Sequence, residues 1–148
     1  MYRADKGLAF MLQYENVAWY DAGEVRILDR RVYPRRVEFV TCRTHVEVAQ
    51  AIRDMVTQSA GPYTAAAMGM ALAAWECREQ PAEEQKTYLR KASDTISHAR
   101  PTTVKRMQLI TEGCLPVAYR AIGAGENASE AIRAYTIDSN NRRYGKIA

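Results

Sequence analysis

The chain has 148 residues, 47% of them hydrophobic and 26% charged, with a formal net charge of +4. These are globular values for one domain with its own core, and they exclude a disordered or fibrous chain. No apolar run reaches the ~20 residues of a membrane span, and the positive excess is too small and local to make the chain a polycation.

The start, "MYRADKGLAFML" (1–12), has a basic residue and a short apolar patch. Asp5 and the lack of an extended apolar stretch argue against a signal peptide. Three cysteines, Cys42, Cys77 and Cys114, are widely spaced and odd in number. That pattern suits reduced thiols in a cytoplasmic protein better than a disulfide framework. Residues 12–21 and 24–33 read as strands around the turn residues Asp21, Ala22 and Gly23. A third strand, 35–42, follows Pro34 and sets Val37 and Phe39 against Glu38. Such a meander is too small to stand alone and should lean on helices.

The period then changes. Thr44 and Glu47 make a capping-box pattern, and Val48, Ile52, Met55 and Val56 recur at helical spacing, which predicts a helix over about 45–57. "TQSAGP" (57–62) interrupts it. Pro62 opens an Ala-rich helix that is apolar almost all round, the signature of a central bundle helix. A third helix starts at Pro81, with Glu83 and Glu84 in its first turn and Tyr88, Leu89, Ala92 and Ile96 towards the core. A fourth starts at Pro101 and runs to about Glu112, where Gly113 and Pro116 should break or kink it. Residues 117–125 suggest a short helical stretch. The last helix follows, with Ser129 as its N-cap residue. The expected fold is mainly α with a small N-terminal antiparallel β-meander and a five- or six-helix bundle. The meander (1–43) and bundle (44–148) together make one domain.

Few residues carry chemistry. His45 and His98 have no partners at recurrent metal spacing, so no metal is expected. Ser97 beside His98 is adjacency, because neighbouring helical side chains point apart. The basic clusters 29–36 and 140–146 are short and lack interleaved aromatics, which leaves nucleic acid as a distant alternative. Two loops remain, and each opens a helix. Gln58-Ser59-Ala60-Gly61-Pro62 has small residues whose N–H groups can cradle an anion. His98-Ala99-Arg100-Pro101-Thr102 offers a permanently charged fork at a preset helix start. Locally these are either half of a phosphate site or two ordinary connections.

The ordered segments "IRDMV", "AAAMGMALAA" and "ARPTTV", followed by "EAIRAYTIDSNNRRYGKIA", add a further indication. Together they make residues 12–148 resemble the N-terminal domain of methylthioribose-1-phosphate isomerases. The wider superfamily includes ribose-1,5-bisphosphate isomerase and the alpha, beta and delta subunits of initiation factor 2B. The resemblance implies an aldose-to-ketose isomerisation of a phosphorylated pentose in methionine salvage, without a cofactor. It implies that the substrate phosphate is held by Arg100 and by the segment Gln58, Ser59 and Ala60. Two departures stand out: Gln58 replaces an arginine, and Ser59 replaces a glycine. A neutral amide at 58 forgoes a charge-assisted contact. The family's catalytic cysteine and aspartate belong to an α/β domain that residues 1–148 do not match, and none of Cys42, Cys77 or Cys114 corresponds to that cysteine. No catalytic residue is therefore assigned. The implied partners are a phosphorylated pentose or similar anion, and either a missing or separate α/β domain or a homo-oligomer. A stand-alone regulatory module of the same fold, acting through a protein partner, is the other reading.

Overall fold

The computed structural model of the chain describes Arg3, Asp5 and residues 10–145, the last three by backbone only. Most of what the sequence suggests for residues 1–9, and all of it for 146–148, therefore lies outside the described residues.

The first predicted strand is half helix. Phe10–Leu12 forms a 3-10 turn and Tyr14–Val17 one turn of α-helix, α1. Tyr14 explains the difference. Its ring is buried, its N–H donates to the Asp5 carboxylate at 2.7 Å, and its hydroxyl donates to Asn141 Oδ1 at 2.7 Å. Local β-propensity loses to these tertiary bonds.

Strands β1 (Ala18–Asp21), β2 (Glu24–Leu28) and β3 (Phe39–Cys42) then form an antiparallel sheet in that order. Tyr20 pairs with Val25, and Val25 with Cys42. The β1–β2 turn places Ala22 at φ 47° and Gly23 at φ 86°. Both are left-handed, the twist a two-residue hairpin needs. Gly23 has a second constraint, since a Cβ there would lie 2.6 Å from Trp75 Nε1. The second strand stops at Leu28 rather than reaching Tyr33. The Asp29 carboxylate accepts the Arg31 N–H at 3.0 Å and pairs with its guanidinium at 2.9 Å, which turns the chain. Val37, read as a strand residue, precedes β3 and is 56% exposed.

Helix α2 (His45–Arg53) starts at Thr44, whose hydroxyl accepts the Glu47 N–H at 3.1 Å. The Glu47 carboxylate reaches back to the Arg43 N–H at 2.6 Å, one residue beyond the box expected. The helix ends sooner than the hydrophobic spacing suggests. Met55 turns left-handed (φ 65°), Val56 N–H donates to Ala51 O at 3.0 Å and Met55 N–H to Ile52 O at 3.3 Å. This is a Schellman ending with methionine where glycine is usual. It leaves Met55 46% exposed rather than in the core, while Val56 is buried.

Helix α3 (Gly61–Glu76) is the axis of the fold. It packs against α2, α4 (Ala82–Ser97), α5 (Val104–Gly123), α6 (Ala128–Gly145) and the sheet. Twelve of its sixteen residues are buried, six of them alanines and one Gly69. Small side chains let five neighbours crowd one helix. A Cβ on Gly69 would sit 3.0 Å from Val48 Cγ1 and 3.1 Å from Ile96 Cδ1.

Two expectations at the C-terminal end are corrected. Helix α5 runs unbroken through Pro116, so the two short stretches are one helix of twenty residues after a 3-10 turn, Pro101–Thr103. Pro116 lies on the exposed side while Met107, Thr111, Cys114, Ala118 and Ala121 bury the other. That burial outweighs one missing hydrogen bond. For α6, Asn127 rather than Ser129 is the cap: its Oδ1 accepts the Glu130 N–H at 3.1 Å, and Ser129 is buried inside the first turn. Among the described residues the architecture is a three-stranded meander leaning on six helices. No helix among the described residues is long and apolar enough to cross a membrane.

Candidate functional site

The residues with nucleophilic or acid–base potential are largely engaged in structure. All three thiols are buried, and burial pushes Cys42 and Cys77 to about 11 and Cys114 to about 12. A thiol at such values is inert near neutral pH. His45 ties α2 to the end of α3: its N–H and its Nδ1 meet Glu76 Oε1 at 2.8 and 2.9 Å. Tyr88 of α4 donates to Glu76 Oε2 at 2.8 Å. Burial works against the Glu76 carboxylate, but the bonds from His45 and Tyr88 outweigh it and hold its pKa below the ordinary value. Burial, and then the Glu76 partner, push the Tyr88 hydroxyl up.

Ser97 and His98 do meet, with Oγ and Nδ1 3.2 Å apart, where adjacent side chains were expected to diverge. The helix is ending there, and both groups turn to the same carbonyl, Asp94 O, at 3.2 and 2.7 Å. A carbonyl only accepts, so Nδ1 carries the proton and is no base for the serine. Glu83 and Glu84 are exposed first-turn acids. Among the described residues no three His, Cys, Asp or Glu side chains converge to hold a metal ion.

The two loops come together, and Arg100 joins them. Arg100 is extended (φ −128°, ψ 130°), as a residue before proline should be. Its Nε donates to Ile52 O at 2.7 Å and its Nη2 to Thr57 O at 2.9 Å. From the other side, Arg53 Nε donates to Ala99 O at 3.3 Å. Two arginines thus lace the end of α2 to the start of α5. Arg53 was not singled out in the sequence. It sits in "IRDMV", and only its partner 46 residues away gives it this role.

The Gln58–Pro62 loop is less open to an anion than its sequence suggests. The Gly61 N–H is spent on Gln58 O at 3.0 Å and the Tyr63 N–H on Ala60 O at 3.3 Å. Among the described residues no acceptor takes the N–H of Ser59 or Ala60. The Gln58 side chain donates to Met55 O at 3.1 Å. Ser59 is left-handed, φ 62°, a conformation that favours glycine. Together the loops present one permanent cation and two free N–H groups, with no carboxylate or thiol of their own. An arginine fork and open N–H groups are the chemistry of anion contact, and the one acid–base side chain of the loops, His98, has its Nδ1 committed to Asp94 O.

No protein-family model matches the chain. The resemblance is carried by individual relatives. The methylthioribose-1-phosphate isomerase of Cereibacter sphaeroides is 35% identical over 118 residues, 76% of this chain and 31% of that protein. That of Roseiflexus castenholzii is 38% identical over 91 residues, 58% of this chain and 26% of that protein. Among solved structures, 5-methylthioribose 1-phosphate isomerase from Pyrococcus horikoshii matches with a TM-score of 0.66 at 21% identity, covering 86% of this chain and 35% of that one. Translation initiation factor eIF-2B subunit delta from A. fulgidus matches with a TM-score of 0.61 at 26% identity, covering 88% and 36%. The fold is therefore the one shared by these isomerases and the 2B subunits. Within that superfamily the chain is a partial-length relative of methylthioribose-1-phosphate isomerases, spanning about a third of their length.

Proposed function

We propose that this chain is the N-terminal domain of a sugar-phosphate aldose–ketose isomerase relative, supplying part of a phosphate site and none of the catalytic groups. Its ligand is a phosphorylated pentose or a similar anion. The observation that carries this reading is the position of Arg100. Its guanidinium spans the loop before α3 and the start of α5, with two donors fixing the loops and Nη1 unbonded among the described residues. A guanidinium held at a helix start and bonded to Thr57, in the loop whose Ser59 and Ala60 N–H groups are open among the described residues, is a sound half-cradle for a phosphate. The acid and base of an isomerisation would come from an α/β domain, in the same protein or another, that closes over this face and excludes water.

One observation favours the second reading, a non-catalytic module acting through a protein partner. Gln58 supplies no charge where the isomerases carry arginine, and its amide is already bonded to Met55 O.

The test is a titration of inorganic phosphate and of ribose 5-phosphate into the wild-type chain, Arg100→Ala and Gln58→Arg, followed by NMR. Arg100→Ala should weaken binding at least about tenfold, the value of one charge-assisted hydrogen bond. Gln58→Arg should strengthen it by a similar factor. Unchanged affinity in both folded variants would overturn the reading. Gln58→Arg keeps the test decisive if loss of Arg100 loosens the loops.

A further inference from the structure

One turn into α3, away from the two loops, a cavity of about 60 Å³ opens between α3, α5 and α6. Its polar wall is Thr64 from α3 and Thr136, Ser139 and Asn140 from α6, and its apolar wall includes Leu109 and Ile110 of α5. The rings of Tyr63 and Tyr135 edge it, and the Arg106 guanidinium lies over Tyr63 at 5.4 Å from the ring centre.

Two of the lining side chains are unusual. Thr64 is 5% exposed and Asn140 4%, and neither side chain has a hydrogen-bond partner among the described residues. The Thr136 hydroxyl, by contrast, is bonded to Ile132 O at 2.8 Å. Every fully enclosed side-chain polar atom of the described structure has a partner. The unbonded atoms of Thr64 and Asn140 must therefore be reached from outside the protein, and both residues line this cavity. A buried carboxamide has two donors and an acceptor to satisfy, and native folds seldom leave one idle.

The lining also defines the chemistry it accepts. Among the described residues no carboxylate, ammonium or guanidinium lines the cavity, so an ionised group against this lining would lose its hydration uncompensated. A hydroxyl matches an amide that both donates and accepts, and the C–H faces of a carbon chain match aromatic and aliphatic walls. The volume suits a few heavy atoms, several times that of a single water site. Thr64 follows the first residue of α3 by three positions, a rise of about 5 Å along the helix, which sets the cavity one turn from the loop that opens α3.

We propose that this cavity is a subsite for the hydroxyl-bearing carbons of a sugar phosphate, with the Thr64 hydroxyl and the Asn140 carboxamide as its ligands. The proposal rests on the phosphate reading given above. Neither side chain bonds within the protein among the described residues, so Asn140→Ala and Thr64→Val should leave the fold intact, as circular dichroism would verify. Inorganic phosphate, ribose 5-phosphate and ribitol are titrated into the 148-residue chain by NMR. Ribose 5-phosphate should bind at least about tenfold tighter than inorganic phosphate. Either variant should erase most of that difference without changing the affinity for inorganic phosphate. Ribitol should shift the side-chain amide signals of Asn140. Equal affinity for the two phosphates, lost together in Arg100→Ala, would overturn the subsite and leave the phosphate reading standing. If neither phosphate binds, that reading fails, and ribitol alone decides: shifts at Asn140 support a polyol site, and no shifts overturn it.

Discussion

Gly61→Ala puts the junction of the two loops under a defined strain. A Cβ on Gly61 would stand 2.1 Å from Thr57 Oγ1, far inside contact distance, while its next neighbours are at 3.5 and 3.6 Å. Thr57 is buried, and its carbonyl is the anchor for Arg100 Nη2. Overpacking of this kind costs about 1–3 kcal/mol. Replacing glycine by alanine in a helix returns at most about 1 kcal/mol, and less at a first position. The net expectation is a loss of about 2 kcal/mol, or a fall in Tm of about 4–8 °C for a chain of this size. The clash is confined to one atom, so Thr57→Ala should relieve it, leaving only ordinary contact. The double variant should recover most of the loss, with a coupling of about 1–2 kcal/mol between the two positions. Urea denaturation of the four proteins in the cycle measures this. A Gly61→Ala protein as stable as wild type, or a double variant no better than the single, would refute the packing argument and the tightness of the Arg100 anchor with it.

Glu76→Gln should cost about 1–3 kcal/mol at pH 7, because His45 and Tyr88 lose a charged acceptor. The folded state holds the Glu76 pKa below its ordinary 4.5, so its contribution is present above that value and lost as pH falls through the folded pKa. Acid titrations of stability should therefore fall less steeply for the variant than for wild type below pH 4.5. With their values raised to about 11 and 12, the three cysteines should resist iodoacetamide at pH 8 in the folded chain and react in denaturant, as mass spectrometry would count. Pro116→Ala restores a helix N–H at an exposed position and should raise stability by about 1–3 kcal/mol in urea; a loss would mean α5 depends on the proline.

The sequence made the regular parts of this fold readable. The hairpin residues Ala22 and Gly23, the Thr44 cap, the proline that opens α3 and the Leu89, Ala92 and Ile96 stripe all act through neighbours within a turn. The Ala-rich segment declared a central helix because only burial on every side suits it. What stayed hidden depends on distant partners or on atypical residues. Tyr14 starts α1 because Asp5 and Asn141 hold it. Met55 ends α2 in a conformation that glycine would have advertised. Pro116 is carried by the packing of its own helix. Ser129 looks like a cap, yet Asn127 performs that role.

The candidate site divides in the same way. Arg100 stood out through its proline and its family context. That it binds the carbonyls of Ile52 and Thr57, and that Arg53 answers from the end of α2, follows only from the folded arrangement. Ser59 gains meaning from its φ of 62°, since the loop keeps the backbone shape of a glycine position with another residue there. Thr64 and Asn140 gave no signal, being one threonine and one asparagine in helices, until the cavity brought them together.

The chain spans about a third of the length of its curated relatives, and the proposed function makes it the front domain of a longer isomerase relative. The most direct test is the intact mass of the native protein, captured from its own cells with an antibody to this domain and read by mass spectrometry. The expected result is a mass more than twice that of the 148-residue chain, with sugar-phosphate isomerase activity in the captured protein. A mass equal to that of the 148-residue chain would contradict it and point to a stand-alone module.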